Sequence, residues 1–181
     1  MRIIRRENIA LIGFMGVGKT TCGQYLARRL GYDYLDTDQE IVKRAGQSIA
    51  NIFKTQGEAA FRAMERELVY NIIPRLRHTI ISTGGGLGAN AEYVSVLKQY
   101  ALVVHLHLPA EDIYERVKDN RSRPLLQTED PLGRIRELLE QRLPVYHTAH
   151  VELTTQNRSL PQIVFQILLN YHHHAPRRRK K

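Results

Sequence analysis

The sequence predicts an α/β protein in which about five parallel strands form a sheet sandwiched by helices. Apolar strand segments alternate with helical segments along the chain, which is typical of parallel sheets whose strands are connected by helices. The strand segments are continuous apolar runs without polar alternation, so we expect helices to cover both faces of the sheet. A length of 181 residues suits one domain with a sizeable core. We expect that domain to span residues 1–171.

The first half of the chain is predicted to contain three strands. Residues 9–12 are an apolar run that stops at Gly13, and residues 20–30 have helical periodicity and end at Gly31, a common C-cap. The next segments are a strand at 32–35, short helices at 39–45 and 48–54, a longer helix from 58 to about 76, and a strand at 79–82. Apolar residues recur every three or four positions in the longer helix, which indicates a face turned toward a core.

The second half is predicted to contain two more strands. A helix at 91–99 behind an Asn90 cap is followed by a strand at 102–108 and a helix from 110 to about 118. Residues 119–133 contain two prolines and many polar side chains, which predicts a mobile loop suited to act as a lid. A helix from 135 to about 143, a strand at 150–153 and a helix at 161–171 complete the domain. Because such sheets bind ligands at the carboxyl ends of their strands, we expect functional residues in the loops after the strands.

Charge and cysteine content narrow the class of protein and its location. The net charge is +9, and residues 177–181 carry five of the positive charges. We expect residues 172–181 to be a disordered basic tail. We expect no nucleic-acid partner, because no aromatic residues are interleaved with the basic ones. The single cysteine, Cys22, cannot form an internal disulfide, which favours a reducing, cytoplasmic location. No apolar run is long enough to predict a membrane helix.

The strongest functional motif is a phosphate-binding loop at residues 13–20, GFMGVGKT, which matches the Walker A pattern in full. Its glycines allow backbone N–H groups to converge on phosphate oxygens at the start of a helix. Lys19 is predicted to bridge the β- and γ-phosphates of ATP, and Thr20 to bind Mg²⁺ through its hydroxyl. Thr21 is expected to cap the phosphate site from the next turn. A turn selected only for backbone geometry would not explain Lys19 and Thr20 at these positions.

Two carboxylates follow the second predicted strand, in Asp36-Thr37-Asp38. Residues two apart on an extended segment project to the same side, so both acids are predicted to face one cleft. Asp36 is suited to act on the metal shell through water, and Asp38 on an acceptor hydroxyl as base or orienting group. Helix capping or turn formation by Asp38 explains the same residues equally well.

Three arginines and a run of glycines are candidates for the acceptor side. Arg62 precedes Glu65 by three residues, so the acid can hold its guanidinium, although an arginine on a helix is most often a solvated surface group. Arg123 in the predicted lid is suited to reach the transferred phosphate, and Arg142 to close the rim of the cleft. The run Gly84-Gly85-Gly86 after a strand lets the backbone approach a small ligand closely. A flexible loop is the alternative for these glycines.

Together these motifs resemble the shikimate kinase family over about residues 8–171. The resemblance rests on residues 13–20, Asp36-Thr37-Asp38, Gly57-Glu58 with Phe61-Arg62, Gly84-Gly85-Gly86, Arg123-Pro124-Leu125-Leu126 and Arg142-Leu143-Pro144-Val145-Tyr146. It implies a P-loop fold of the nucleoside-monophosphate-kinase type, with a substrate-binding segment at about 33–62. It also implies transfer of the γ-phosphate of ATP, with Mg²⁺, to the 3-hydroxyl of shikimate in aromatic amino-acid biosynthesis. We expect a monomer.

The resemblance also implies a role for individual residues. It places Gly16, Val17, Gly18, Lys19, Thr20 and Thr21 on the ATP phosphates, Arg116 and Gln156 beside the adenine, and Lys19 and Arg123 on the moving phosphoryl group. It places Asp38 on the shikimate hydroxyls, Arg62 and Arg142 on the shikimate carboxylate, and Gly84, Gly85 and Gly86 along the substrate. The chain departs from the family pattern near Gln156, and at Ala149-His150, where Ala-Asp is common.

Other functions remain open at the level of sequence. A kinase for gluconate or for a nucleotide would use the same phosphate loop, although an aspartate and two arginines suit a small acid better than a base. A GTPase-type switch lacks support because no Asn-Lys-x-Asp guanine motif is present. A nucleic-acid-binding protein would depend on the basic tail. His105 and His107 alternate on one predicted strand, and without a third ligand we interpret them as structural.

Overall fold

The computed structural model describes residues 7–119 and 128–174, and within them the chain forms a five-stranded parallel sheet. The strands are β1 (Asn8–Ile12), β2 (Asp33–Asp36), β3 (Thr79–Ser82), β4 (Ala101–His107) and β5 (Val151–Thr154). Their order across the sheet is β2-β3-β1-β4-β5, and every neighbouring pair is parallel. The predicted α/β fold is confirmed.

Helices cover both faces of this sheet. They are α1 (Lys19–Leu30), α2 (Thr37–Ala45), α3 (Ile49–Glu67), α4 (Ala91–Tyr100), α5 (Ala110–Val117), α6 (Pro131–Tyr146) and α7 (Leu160–His174). Alternate residues of β1 enter different cores, as expected for a strand buried on both sides. Ile9 and Leu11 pack with α1 and α7, whereas Ala10 and Ile12 pack with α4. No helix within the described ranges is long and apolar enough to cross a membrane.

The helices predicted at 48–54 and from 58 to about 76 meet in α3 at a kink, and the second of them loses its regularity after Glu67. Gly57 interrupts α3 with φ 80° and ψ 173°, a backbone conformation that L side chains rarely adopt. After α3 the chain passes through a π-helical turn at Leu68–Ile72 and a 3₁₀ turn at Ile73–Arg75, which contains Pro74. Apolar periodicity continued through these turns, so the sequence predicted one regular helix to residue 76. That prediction was wrong about regularity.

Two further boundaries differ from the prediction. Helix α6 begins at Pro131, inside the predicted lid, because the Asp130 side chain accepts a hydrogen bond from the Gly133 N–H and Pro131 occupies the first turn. Helix α7 continues to His174, so the histidines assigned to the basic tail belong to its last turn. Most of the predicted lid (120–127), with Arg123, and residues 175–181 lie outside the described residues.

A buried asparagine ties together the amino ends of three strands. Asn8, only 1% exposed, donates from Nδ2 to the carbonyls of Leu76 (3.0 Å) and Tyr100 (3.1 Å). Its Oδ1 accepts from the Thr79 N–H at 3.0 Å. Leu76 lies three residues before β3, Thr79 begins β3 and Tyr100 immediately precedes β4, so one side chain sets the relative position of β1, β3 and β4.

Replacing this side chain should destabilise the whole sheet. We expect Asn8→Ala to lower the free energy of unfolding by about 2–4 kcal/mol, because it removes the three hydrogen bonds of this side chain and leaves the buried Thr79 N–H without its partner. Urea unfolding followed by circular dichroism measures the loss. Asn71→Ala, at an exposed position, is the control and should cost well under about 1 kcal/mol. Equal losses in the two variants would contradict the role given to Asn8.

Candidate active site

The phosphate loop connects β1 to α1 at the carboxyl edge of the sheet. Gly18 caps α1 with φ 98°, and the first turn of the helix contains no acidic residue to offset its positive end. Lys19 Nζ donates to the carbonyls of Gly13 (2.8 Å) and Phe14 (2.7 Å), so its ammonium lies over the loop. Thr20 and Thr21 are exposed at the start of the helix. This arrangement can bind the phosphates of a nucleotide.

Asp36, and not Asp38, caps the helix that follows β2. Asp36 Oδ1 accepts from the backbone N–H groups of Asp38 (3.0 Å) and Gln39 (3.2 Å). Helix α2 therefore begins at Thr37, two residues earlier than predicted. Capping by Asp36 leaves the Asp38 carboxylate to project from the first turn toward the loop after β3, so the alternative in which Asp38 is the cap was wrong.

The three consecutive glycines after β3 each face a charged side chain. A Cβ atom at Gly84 would lie 2.0 Å from Asp38 Oδ1, and one at Gly86 would lie 2.5 Å from Arg62 Nη1. A Cβ atom at Gly85 would lie 3.5 Å from Arg142 Nη1. The Gly84 N–H also donates to Thr37 Oγ1 at 2.8 Å, which fastens the glycine loop to the start of α2. The absence of side chains thus allows one carboxylate and two guanidinium groups to gather at one backbone segment.

Arg62 is held by two acids on its own helix. Its Nη1 donates to Glu65 Oε2 at 2.7 Å and its Nη2 to Glu58 Oε1 at 2.9 Å. Glu65 is buried, and burial raises the pKa of its carboxyl while the Arg62 guanidinium opposes that shift. The predicted contact with Glu65 is present. The contact of Arg62 with Glu58 was not predicted, although their spacing of four residues is a signal that could have revealed it.

Arg142 lies on α6 and reaches the glycine loop across the phosphate loop. Its guanidinium carbon is 5.2 Å from the centre of the Phe14 ring, within the range of a cation–π contact. The carbonyl of the same Phe14 accepts from Lys19. One residue of the phosphate loop therefore contacts both Lys19, the cation predicted to bind phosphate, and Arg142, a cation predicted to lie on the acceptor side. Phe14 occupies a variable position of the Walker pattern, so no sequence signal marked it.

Oxygen ligands suitable for Mg²⁺ are present near Thr20. The Thr20 hydroxyl is exposed, and Asp36 Oδ2 lies 3.5 Å from the hydroxyl of Tyr34, a half-buried residue whose surroundings include Thr20 and Ser82. A hydroxyl and a carboxylate suit this hard cation, which usually retains several waters. Among the described residues, no three His, Cys, Asp or Glu side chains form a group that could hold a metal ion. These residues fit an ion that takes the rest of its shell from water and phosphate.

The two residues predicted beside adenine lie near the phosphate loop. Arg116, at the end of α5, donates from Nη1 to the Gly16 carbonyl at 3.2 Å. Gln156 is exposed in the loop after β5, next to Thr155, whose hydroxyl donates to the Val17 carbonyl at 3.1 Å. The loops after β1 and β5 and the end of α5 therefore meet at the same edge of the sheet.

Comparison with known proteins identifies close relatives over almost the whole chain. The profile of the shikimate kinase family matches residues 15–172. A shikimate kinase of Thermodesulfovibrio yellowstonii is 39% identical over 165 residues, covering 91% of this chain and 95% of the relative. A shikimate kinase of Persephonella marina is 40% identical over 162 residues, covering 90% and 97%. The solved structure of shikimate kinase from Acinetobacter baumannii in complex with shikimate has a TM-score of 0.84 and 37% identity, covering 92% of this chain and 93% of that one.

Proposed function

The chain belongs to the shikimate kinase family and phosphorylates the 3-hydroxyl of shikimate with ATP and Mg²⁺, and we propose how its residues divide this reaction. The acceptor side consists of Asp38, Arg62, Arg142 and the three glycines after β3. The nucleotide side consists of the phosphate loop with Arg116 and Gln156. The product enters aromatic amino-acid biosynthesis, as in the family.

The observation that carries this proposal is the placement of three charged groups along Gly84, Gly85 and Gly86. Shikimate is a small ring with one carboxylate and several hydroxyls, so it needs a cationic clamp at one end and a hydrogen-bond acceptor at the other. Arg62 and Arg142 supply the clamp, and Asp38 supplies the acceptor. Planar guanidinium groups match carboxylate oxygens well. The bare glycine backbone between them leaves room for the ring.

On the nucleotide side, residues 16–21 bind the phosphates and Lys19 leaves its loop carbonyls to bridge them. Thr20 holds the metal through its hydroxyl, and Asp36 reaches the metal shell through water with the oxygen that does not cap α2. When bound, Mg²⁺ neutralises charge on the β- and γ-phosphates. Arg116 and Gln156 flank the adenine. Arg123, outside the described residues, remains a predicted partner of the moving phosphoryl group.

The chemical step needs little more than position and charge. Asp38 orients the 3-hydroxyl and accepts its proton as the oxygen forms a bond to the γ-phosphorus. The bond from that phosphorus to the bridging oxygen breaks, and ADP leaves. Lys19 offsets the charge that develops on the phosphate oxygens. Glu65 and Glu58 act indirectly, by fixing the direction of the Arg62 guanidinium.

We further propose that the enzyme works as a cytoplasmic monomer with no nucleic-acid partner. Both substrates are small anions that suit the modest positive charge of its body. Cys22 is buried, and burial raises the pKa of its thiol to about 11, which leaves it unreactive. Activity that persists after deletion of residues 175–181, in a species of monomer mass, supports the monomer and the absence of a nucleic-acid partner.

The acceptor is tested by ADP release from Mg·ATP. We expect release with shikimate and little with gluconate, with a nucleoside monophosphate or with no acceptor, because only shikimate matches both the clamp and Asp38. A coupled assay that oxidises NADH follows the rate. Comparable release with another acceptor would leave the phosphate loop in place but overturn the roles of Asp38, Arg62 and Arg142.

Removing one arm of the clamp should weaken shikimate binding. We expect Arg62→Ala to raise KM for shikimate about 10- to 100-fold, the loss of a charged hydrogen-bonded contact, with a much smaller effect on KM for ATP. Arg66→Ala removes the same side chain one turn later, where it is 64% exposed and packs on Tyr70, and is the matched control. A KM for shikimate that rises equally in both variants would contradict the clamp.

Replacing the proposed base should slow turnover. We expect Asp38→Asn to lower kcat about 10²- to 10⁴-fold while KM for ATP changes little, because the amide keeps the shape but cannot accept the proton. Glu40→Gln, two residues along α2 and paired with Arg44, is the matched control and should retain its rate. Full-rate catalysis by Asp38→Asn would remove the case for a base at this position.

A further inference from the structure

A cavity of about 280 Å³ lies behind the phosphate loop, between the end of β4, α5 and α6. Most of its lining is apolar and includes Phe14, Ile113 and Leu139. Asp38, Arg62 and the glycines after β3 do not line it. Within the described residues the cavity is therefore separate from the acceptor site, which it adjoins at Phe14, the ring that contacts Arg142, and at Leu143, the chain neighbour of Arg142.

One wall of the cavity is polar and contains a buried group without a partner. His105 is 2% exposed, and its Nδ1 has no hydrogen-bond partner among the described residues. That nitrogen lies 4.0 Å from Glu152 Oε2, while Glu152 Oε1 lies 2.8 Å from His147 Nδ1. A buried nitrogen left unpaired is costly, which indicates that a hydrogen-bonding group can be accommodated beside it.

The polar wall favours a cationic or hydrogen-bond-donating group. Burial lowers the pKa of His105 to about 4, so this imidazole is neutral near neutral pH, although Glu152 opposes the shift. The Glu152 carboxylate then supplies negative charge at the wall. Its side chain is 37% exposed and that of His147 is 56% exposed, so the polar wall extends to the surface and gives a ligand a way in.

We propose that this cavity is a second binding site, which takes a small aromatic ligand with a protonated amine. The ring occupies the apolar part among Phe14, Ile113 and Leu139, and the ammonium group lies on Glu152 beside His105. A mainly apolar pocket with a few convergent polar groups is the usual form of a small-molecule site, and this volume is near the lower end of such sites. One ring with a short arm matches that size. The site does not depend on the roles proposed for Asp38 and the arginines.

Benzylamine is a direct probe of this proposal. Titration into the full-length protein, by calorimetry and by NMR of leucine and isoleucine methyl groups, should show saturable binding to one site with a Kd on the order of 1 mM. The largest shifts should be at Ile113 and Leu139. Saturating shikimate should not displace the probe.

Matched variants separate this site from non-specific binding. We expect Glu152→Gln, at an exposed position that should not affect folding, to weaken benzylamine binding about tenfold and to leave binding of neutral benzyl alcohol unchanged. Leu139→Trp should fill the cavity and abolish binding of both. Leu169→Trp, on α7 where Leu169 is 43% exposed, is the control and should bind both probes normally.

Several results would overturn the proposal. These are benzylamine binding that does not saturate, displacement of the probe by shikimate, and unchanged benzylamine affinity in Glu152→Gln. If Leu139→Trp fails to fold, Glu152→Gln alone still decides the question, because it tests the charge contact without altering the apolar wall.

Discussion

The candidate active site depends on the absence of side chains at three consecutive positions after β3. Asp38, Arg142 and Arg62 approach Gly84, Gly85 and Gly86 so closely that a single methyl group at Gly84 or Gly86 would overlap a charged atom. Like charges on the two arginines and the opposite charge on the aspartate are thus brought to one strip of backbone. In the proposed function, a small acidic substrate lies along that strip.

Bringing charged groups together requires other groups to hold them in place. Glu65 and Glu58 restrain Arg62, and the ring of Phe14 supports Arg142. Asp36 forms the cap of α2 and so directs Asp38 toward the glycine loop. Each restraint limits the number of conformations that a long or charged side chain would otherwise adopt, which lowers the entropic cost of binding the substrate.

Phe14 connects the two halves of the site. Its carbonyl accepts from Lys19, its ring contacts Arg142, and it forms part of the wall of the cavity behind the phosphate loop. At the opposite edge of the sheet, Asn8 holds the starts of the strands in position. The sheet is therefore fixed at its amino edge, while the loops at its carboxyl edge carry the residues proposed for the chemistry.

The sequence by itself determined the α/β class, the five strands and the phosphate loop, and it singled out candidate residues for the acceptor side, because apolar periodicity, glycine runs and the Walker spacing are local signals. Tertiary structure alone decided that Asp36 and not Asp38 caps α2, that Phe14 contacts Arg142, and that His105 stacks on Tyr146. Phe14 and Arg142 are far apart in the chain, and a local pattern cannot report a contact made only when distant strands and helices pack. The start of α6 at Pro131 has a local signal, the capping residue Asp130. The polar composition of residues 119–133 nevertheless led to the prediction of a loop there and of a helix only from 135. Composition describes a segment on average, whereas one cap hydrogen bond decides where a helix begins.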